Sequence, residues 1–436
     1  MYSCGPTVYQ AASIGNFRAF LFADLLRRGL EFLGYEVKQI MNITDVGHLT
    51  DDADSGEDKM IVGMQKEGKT AWEIADVYTE MFLRDMDRLH ILRPAVMPKA
   101  TEHIPEQIEL IQVLEEKAFT YKTSDGIYFD TSKLADYGAL AHQKQEEKEA
   151  GARVEVNPEK RNPADFALWK FSPTDQKRNM EWESPWGVGF PGWHIECSAM
   201  SEEYLGSPFD IHTGGEDHIP VHHPNEMAQT EAARGHALAN VWIHNAFLQV
   251  DGGKMGKSLG NAYTLDDLMD KGIEPLAYRY FILQAHYKTP QNFTWESVQA
   301  AQNALNNLRD ELRTLSASTE VNTDALERFK AAIADDVNAP AAVAELHNVL
   351  NNNAIDSGSK SATVLKFDEF LGLGLPDYVA TPLLVPAEVQ ELMEERQNAR
   401  EAKDWERADA LRDEIAEKGF LVEDGASDQS VREKHE

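Results

Sequence analysis

The chain has 436 residues, 42% of them hydrophobic and 27% charged, which suits a soluble globular protein of roughly two or three domains. No apolar run reaches the length of a membrane span, and MYSCGPTVYQ lacks the basic-then-apolar order of an export signal; the two cysteines, Cys4 and Cys197, are therefore expected to stay reduced in a cytoplasmic protein. A net charge of -32 excludes a generally basic nucleic-acid binder, so any RNA-binding face must be local, and the acidity itself reads as a solubility device.

Residues 1–4 read as a short strand, broken by Gly5-Pro6-Thr7. A helix is expected after Ile14-Gly15-Asn16, because Phe17, Phe20, Leu21, Leu25, Leu26 and Leu30 recur at near-helical spacing, and Gly34 stops it. Residues 37–43 read as a second strand. Strand, helix, strand is a parallel βαβ unit, with its ligand edge at the carboxyl ends of the strands, where Cys4 and Thr44 fall. Residues 71–91 read as another helix. Residues 96–190 read as an insertion between two halves of a nucleotide-binding sheet, with a strand at Gly126-Ile127-Tyr128-Phe129 and a charged stretch from Gln143 to Arg161. The strand-loop-helix rhythm returns from Phe209 to Ser258. Helices are expected over 296–316 and 324–353, a linker from Pro376 to Pro386, charged amphipathic helices over 387–418, and disorder in about the last dozen residues.

Cys4, Cys197, His222 and Glu226 form the first chemical group. Zinc takes thiolate, imidazole and carboxylate ligands in tetrahedral sites. His222-His223-Pro224-Asn225-Glu226 reads as a helix start with Pro224 at the first helical position and Glu226 in the first turn. Both cysteines fall near expected strand ends. Spacing alone favours the plainer reading of two buried cysteines and an unrelated surface histidine, since there is no compact CxxC pair. His218 and His223 are also available as ligands.

Gly5-Pro6-Thr7-Val8-Tyr9 and Ser13-Ile14-Gly15-Asn16 form the second group. Small and polar residues at a helix start can offer backbone N–H groups to a phosphate, although an ordinary strand-to-helix turn explains this segment equally well. The third group is Lys254-Met255-Gly256-Lys257-Ser258, between Asp251-Gly252-Gly253 and Leu259-Gly260-Asn261. Two lysines in a glycine-rich loop suit charge that develops on phosphate; a solvated basic loop is the bland alternative.

Together these stretches resemble the class I aminoacyl-tRNA synthetases, and the cysteinyl family in particular. Residues 1–16 resemble its first signature, a CGPTVY run followed by the HIGH motif. Asn42-Ile43-Thr44-Asp45, residues 192–200 (GWHIECSAM), Asp210-Ile211-His212, Gly214-Gly215 with Asp217, and His222 to Glu226 continue the likeness. Residues 254–258 resemble the KMSKS loop, and Lys403 to Asp413 the C-terminal helical segment.

The resemblance implies an α/β fold: a Rossmann-type catalytic domain over 1–295 with the insertion at about 96–190, then a helical anticodon-binding domain over 296–375. A linker at 376–386, a C-terminal helical segment at 387–425 and a disordered tail at 426–436 would follow. It implies Cys4, Cys197, His222 and Glu226 as ligands of one Zn²⁺. It implies Gly5, Thr44, Trp193 and His212 around the amino acid, and Thr7, Gly15, Asn16, Asp217 and Lys257 around ATP with its Mg²⁺. Ser13, Asn16, Lys254 and Lys257 would act in catalysis. The implied partners are ATP, L-cysteine and tRNA(Cys), and the implied state is a monomer. A same-fold ligase joining cysteine to an amino-sugar, and a non-catalytic paralogue that binds tRNA or cysteine, are the rival readings.

The sequence departs from the family's pattern in places. Ser13 stands where the HIGH motif begins with histidine, so Ser13→His is expected to speed adenylate formation. Gly256 replaces the middle serine of KMSKS. The chain also starts directly on the signature strand, and a misassigned start is the expectation.

Overall fold

The computed structural model describes residues 1–47, 68–141, 157–173, 178–256, 259–424 and 429–433. The chain opens with a buried strand, Tyr2–Ser3 (β1), a helix, Ile14–Phe32 (α1), and a second buried strand, Ile40–Met41 (β2). Ser13 caps α1, whose Ile14, Phe17, Leu21 and Leu25 are buried, and Gly34 at φ 96° turns the chain out of it. β2 is shorter than the expected 37–43; beyond it, Ile43 and Thr44 continue only as single bridges to Lys99 and Thr7.

Ala71–Arg88 forms α2, capped by a Thr70–Glu73 box. The expected insertion begins later than 96. Val96 and Lys99 pair in parallel with Ile40 and Ile43, so this stretch extends the parallel sheet. Ile104–Glu116 (α3) then leads into Thr120–Lys122 (β3), Gly126–Phe129 (β4), Phe166–Phe171 (β5) and Gly189–Pro191 (β6). These make an antiparallel sheet in the order β3-β4-β5-β6. Most of the charged stretch from Gln143 lies outside the described residues.

Trp193–Leu205 (α4), Phe209–Gly215 (β7), His222–Arg234 (α5) and Ala239–Asn245 (β8) complete the catalytic sheet. Its order is β2-β1-β7-β8 and every pairing is parallel. β1 is central, between a partner that follows it in sequence and one that arrives much later. That is a topological switch point, where a crevice opens at the carboxyl ends. Ile111, Leu114, Phe129, Phe166, Leu168, Trp169, Ile195, Ala199 and Ala232 share one core. The inserted sheet is thereby packed on α4 and α5, the two helices that carry site residues.

Leu248–Val250 (β9), Gly253–Lys254 (β10) and Gln291–Phe293 (β11) form a small sheet in the order β10-β9-β11. Asp251 and Gly252, at φ 50° and 74°, make the two-residue turn between β9 and β10. Arg18 on α1 reaches this sheet, donating to Ala246 O, Gln291 Oε1 and Thr289 O at 2.6–2.7 Å.

Residues 1–265 and 286–293 form one compact unit, and residues 266–285 and 294–436 form another. The stretch 266–285 groups with the second of these units. Leu265–Met269 (α6) and Pro275–Leu283 (α7) are helices, Trp295–Thr314 (α8) matches the expected 296–316, the expected 324–353 divides into Thr323–Ala334 (α9) and Ala339–Asn351 (α10), and Ser357–Leu371 (α11) follows. The break between α9 and α10 comes at Asp336 and Val337, both at φ 54°, and Asn338 caps α10. Phe329 and Phe367 stack at 3.8 Å inside this bundle.

Ala387–Glu401 (α12) and Trp405–Glu417 (α13) follow. Two expectations fail at the end of the chain. The 387–425 segment does not finish as helix, and the 426–436 tail is not wholly without structure. Phe420–Asp424 (β12) and Gln429–Glu433 (β13) pair as an antiparallel hairpin. The reason is apolar: Val422 and Val431 join Val389, Ile415 and Phe420 in a common core.

Candidate active site and metal centre

The site is built at the carboxyl edge of β1 and β7. Cys4 follows β1 directly, and its N–H extends the β1–β7 ladder by donating to Thr213 O at 3.2 Å. Gly5 must be glycine, because a Cβ there would land on the carbonyl oxygen of Asn42. Its N–H donates to Asn42 Oδ1 at 2.9 Å, Asn42 Nδ2 donates to Thr44 Oγ1 at 3.0 Å, and Thr44 Oγ1 donates to Glu196 Oε2 at 3.2 Å. This buried chain of bonds fixes the loops after β1 and β2 against α4.

Cys197 was expected at a strand end. It lies instead inside α4, buried, with Sγ 3.8 Å from Asn42 Oδ1. Pro224 was expected at the first position of the next helix. α5 begins earlier, at His222, so Pro224 is its third residue. The earlier start puts His222 and Glu226 a full turn apart on one face, with Nε2 and Oε1 at 3.1 Å.

Cys4, Cys197, His222 and Glu226 each bring one ligand atom within 4.8 Å of all the others. A tetrahedron with metal bonds of 2.0–2.3 Å has edges of about 3.3–3.8 Å. The His222–Glu226 distance of 3.1 Å and the Cys4–Glu226 distance of 3.8 Å are close to such edges. Two sulfurs, one imidazole and one carboxylate thus fit a tetrahedral metal. A second set, Cys4, His212, His223 and Glu226, meets the same distance criterion, so the ambiguity over His223 has a geometric counterpart. Only the first set uses both thiols of the chain, the softer donors.

The electrostatics follow from burial among partners. Burial pushes the Glu226 carboxyl up, but His212 at 2.8 Å and His222 outweigh it and hold it far below the usual carboxylate range. Burial pushes His222 down, but Cys197 and Glu226 outweigh it and raise it to about 10. Cys197 falls to about 7, chiefly through its hydrogen bond from Cys4, against the opposing effect of burial. Cys4 is pushed up, first by burial and then by Cys197. Because Glu226 is ionised, His212 Nε2 must be the donor to it, and His212 Nδ1 is left with no partner among the described residues.

Sequence reasoning missed the roles of two surrounding histidines, His194 and His244. His194 Nδ1 lies 2.8 Å from His222 Nδ1, and His223 Nδ1 lies 2.7 Å from His244 Nε2. A metal on His222 Nε2 would leave its Nδ1–H to donate to His194, the arrangement that fixes a ligand's tautomer. No local spacing announces these contacts, because each joins different elements. Trp193, at the first turn of α4, packs its ring 4.8 Å from that of His222.

Of the residues expected around ATP, Thr7, Gly15, Asn16 and Asp217 follow β1 or β7 in the chain or begin α1. Thr7 pairs with Thr44 across the extension of β2. A Cβ on Gly15 would meet Met255 Sδ at 2.8 Å, so the loop after β10 rests on the start of α1. Asn261 braces that loop, accepting from Gly256 N at 2.8 Å and donating to Lys254 O at 3.2 Å. Lys254 is exposed on β10, and Asp217 is exposed in a short turn after β7. Lys257 lies outside the described residues.

Residues 1–303 match a family described as the class I (C) tRNA synthetase catalytic domain. Residues 384–432 match the cysteinyl-tRNA ligase anticodon binding domain. The chain is 51% identical to "Cysteine--tRNA ligase 1" of Burkholderia lata over 99% of its own length and 92% of that protein's. The chain belongs to the cysteinyl-tRNA ligase family. It is also 45% identical to the cysteine–tRNA ligase of Novosphingobium aromaticivorans, over 98% of this chain and 90% of that one. Among solved structures, a leucyl-tRNA synthetase from Agrobacterium radiobacter, in complex with tRNA, superposes with a TM-score of 0.62 at 13% identity, covering 88% of this chain and 85% of that one. Mycobacterium tuberculosis methionyl-tRNA synthetase bound to methionyl-adenylate gives 0.55 at 15% identity, covering 87% and 91%. Those two likenesses speak to the class I fold. Within the cysteinyl family, this member shows Ser13 and Gly256 in the two motifs expected to embrace ATP. Among the described residues no helix is long and apolar enough to cross a membrane.

Proposed function

We propose that the chain activates L-cysteine with ATP and loads it onto tRNA(Cys), with one Zn²⁺ held by Cys4, Cys197, His222 and Glu226. The observation that carries this reading is the convergence of both cysteines with the His222–Glu226 pair at the switch point of a parallel sheet. Bound zinc would favour a substrate thiolate over a serine hydroxyl, because it prefers soft ligands.

The chain's own residues supply position and charge. His212 and His222 hold the Glu226 carboxylate ionised and aimed into the site. Gly5 and Thr44, tied through Asn42, give the amino acid a rigid floor, and Trp193 closes one side. Thr7, Gly15, Asn16 and Asp217 surround the nucleotide, Ser13 adjoins it, and Lys254 and Lys257 bring positive charge to its phosphates, with Mg²⁺ accompanying ATP as part of the substrate. The cysteine carboxylate attacks the α-phosphorus, the bond to pyrophosphate breaks, and cysteinyl-adenylate forms. A terminal ribose hydroxyl of the tRNA then attacks the carbonyl carbon, and AMP leaves. No enzyme nucleophile takes part; positioning and charge stabilisation drive both steps. A ligase acting on amino-sugars would have no use for the segment matched at 384–432. The reading makes the protein a cytoplasmic monomer, acting where its substrates are.

Cysteine-dependent ATP–pyrophosphate exchange tests it. Zinc-loaded protein is expected to exchange with cysteine and about 10,000-fold less efficiently with serine. No exchange with cysteine would remove the catalytic reading, and equal exchange with serine would remove the metal's role in selection.

A further inference from the structure

Ser13 stands where the family's adenylate-forming motif begins with histidine, and its contacts give it a different task. Its N–H donates to Asn16 Oδ1 at 3.0 Å and its hydroxyl donates to the same oxygen at 2.8 Å. In return, Asn16 N–H donates to Ser13 Oγ at 3.3 Å. These bonds close a capping box at the start of α1. A backbone N–H can only donate, so the atom of Asn16 that faces Ser13 must be its carbonyl oxygen. With that oxygen held by two donors, the Nδ2 amide is turned away from the box and has no partner among the described residues. Asn16 is exposed there, next to Gly15, on which the Lys254 loop rests through Met255.

We propose that Ser13 is a positioning residue, whose box holds the Asn16 carboxamide so that its two N–H bonds face the ATP phosphates. This rests on the reading of the site as an adenylate-forming centre. Orientation of one neutral donor group thus takes the place of donation by the missing histidine. The expectation that Ser13→His speeds adenylate formation reverses. An imidazole has no hydroxyl one bond from Cβ, so the two bonds made by Ser13 Oγ are lost and the N–H of residue 13 alone is left on Asn16 Oδ1, which lets the carboxamide turn about that single bond.

A double-mutant cycle separates positioning from a merely structural cap. Asn16→Asp offers Ser13 the same acceptor, so box and melting temperature survive, but no N–H faces the phosphates. Exchange is measured on zinc-loaded full chain, well below its melting temperature. Ser13→Ala is expected to lower kcat about 100-fold, the cost of a misplacement of roughly 1 Å, and Ser13→Thr, which keeps the hydroxyl, to recover most of that loss. In the Asn16→Asp background, Ser13→Ala is expected to cost no more than about 2- to 3-fold, because the group it orients is gone. An equal cost in both backgrounds, or none in the parent, overturns the proposal and leaves the functional reading standing. A parent protein without exchange overturns both.

Discussion

Replacing Glu226 with glutamine keeps the shape of the side chain and removes its charge. The carboxylate is buried and accepts from His212 Nε2 at 2.8 Å and from His222 Nε2 at 3.1 Å. Both partners favour its ionised form strongly enough to overcome burial. Breaking a buried pair by removing one partner typically costs about 3–5 kcal/mol, because the other is left uncompensated. Here His222 can shed its proton, which places the expected loss near the lower end, about 3 kcal/mol. At roughly 2–4 °C per kcal/mol for a large domain, the metal-free catalytic unit should melt about 6–12 °C lower at neutral pH. Calorimetry on metal-free parent and variant measures this, and competition with a chelator measures zinc retention, which should fall as well. An unchanged melting temperature together with unchanged zinc retention would refute the reasoning, since neither the pairing nor the ligand role would then exist.

Gly5→Ala should push the loop after β1 off Asn42, costing about 3 kcal/mol or more by overpacking and displacing Cys4, so denaturant titration and zinc titration should both register it. Cys197→Ser should leave the fold nearly intact and abolish zinc retention, because a hydroxyl replaces a thiolate that soft metals prefer; quantified zinc release checks this. The Glu202 carboxyl is pushed up by burial, but hydrogen bonds from Arg234 and Ser207 outweigh it and hold it below its ordinary value of 4.5. A depressed carboxyl contributes stability that is complete above that ordinary value and lost as pH falls through the folded one. Arg234→Met should therefore lower the melting temperature at neutral pH and flatten its decline below about pH 4.5, as a pH series of thermal melts would show.

The parallel βαβ start was legible because α1 announces itself by the spacing of Phe17, Leu21 and Leu25 and by Gly34. The length of β2 was not, since Ile43 and Thr44 owe their pairing to Lys99 and Thr7, partners that no local pattern specifies. The His222–Glu226 pair was visible as a spacing, but its register depended on α5 starting ahead of Pro224. Cys197 was read as a ligand position through the family's motif while its helix was not read, because α4 buries every residue from His194 to Ser201 and shows little periodicity. His194 and His244 were missed for the same reason as the closing hairpin. Their roles come from contacts between distant elements, such as His194 on His222 and Val431 on Val389. Ser13 was read as a loss, and its capping bonds to Asn16, from which the positioning role is proposed, come into view only in the structure.

The most direct test of the account is the charging of tRNA(Cys) by zinc-loaded protein with ATP and labelled cysteine. The account predicts label on the tRNA with cysteine, none with labelled serine, and loss of charging when Cys197 is replaced by serine. Charging that survives Cys197→Ser undiminished, or its absence from the zinc-loaded parent protein, would contradict it.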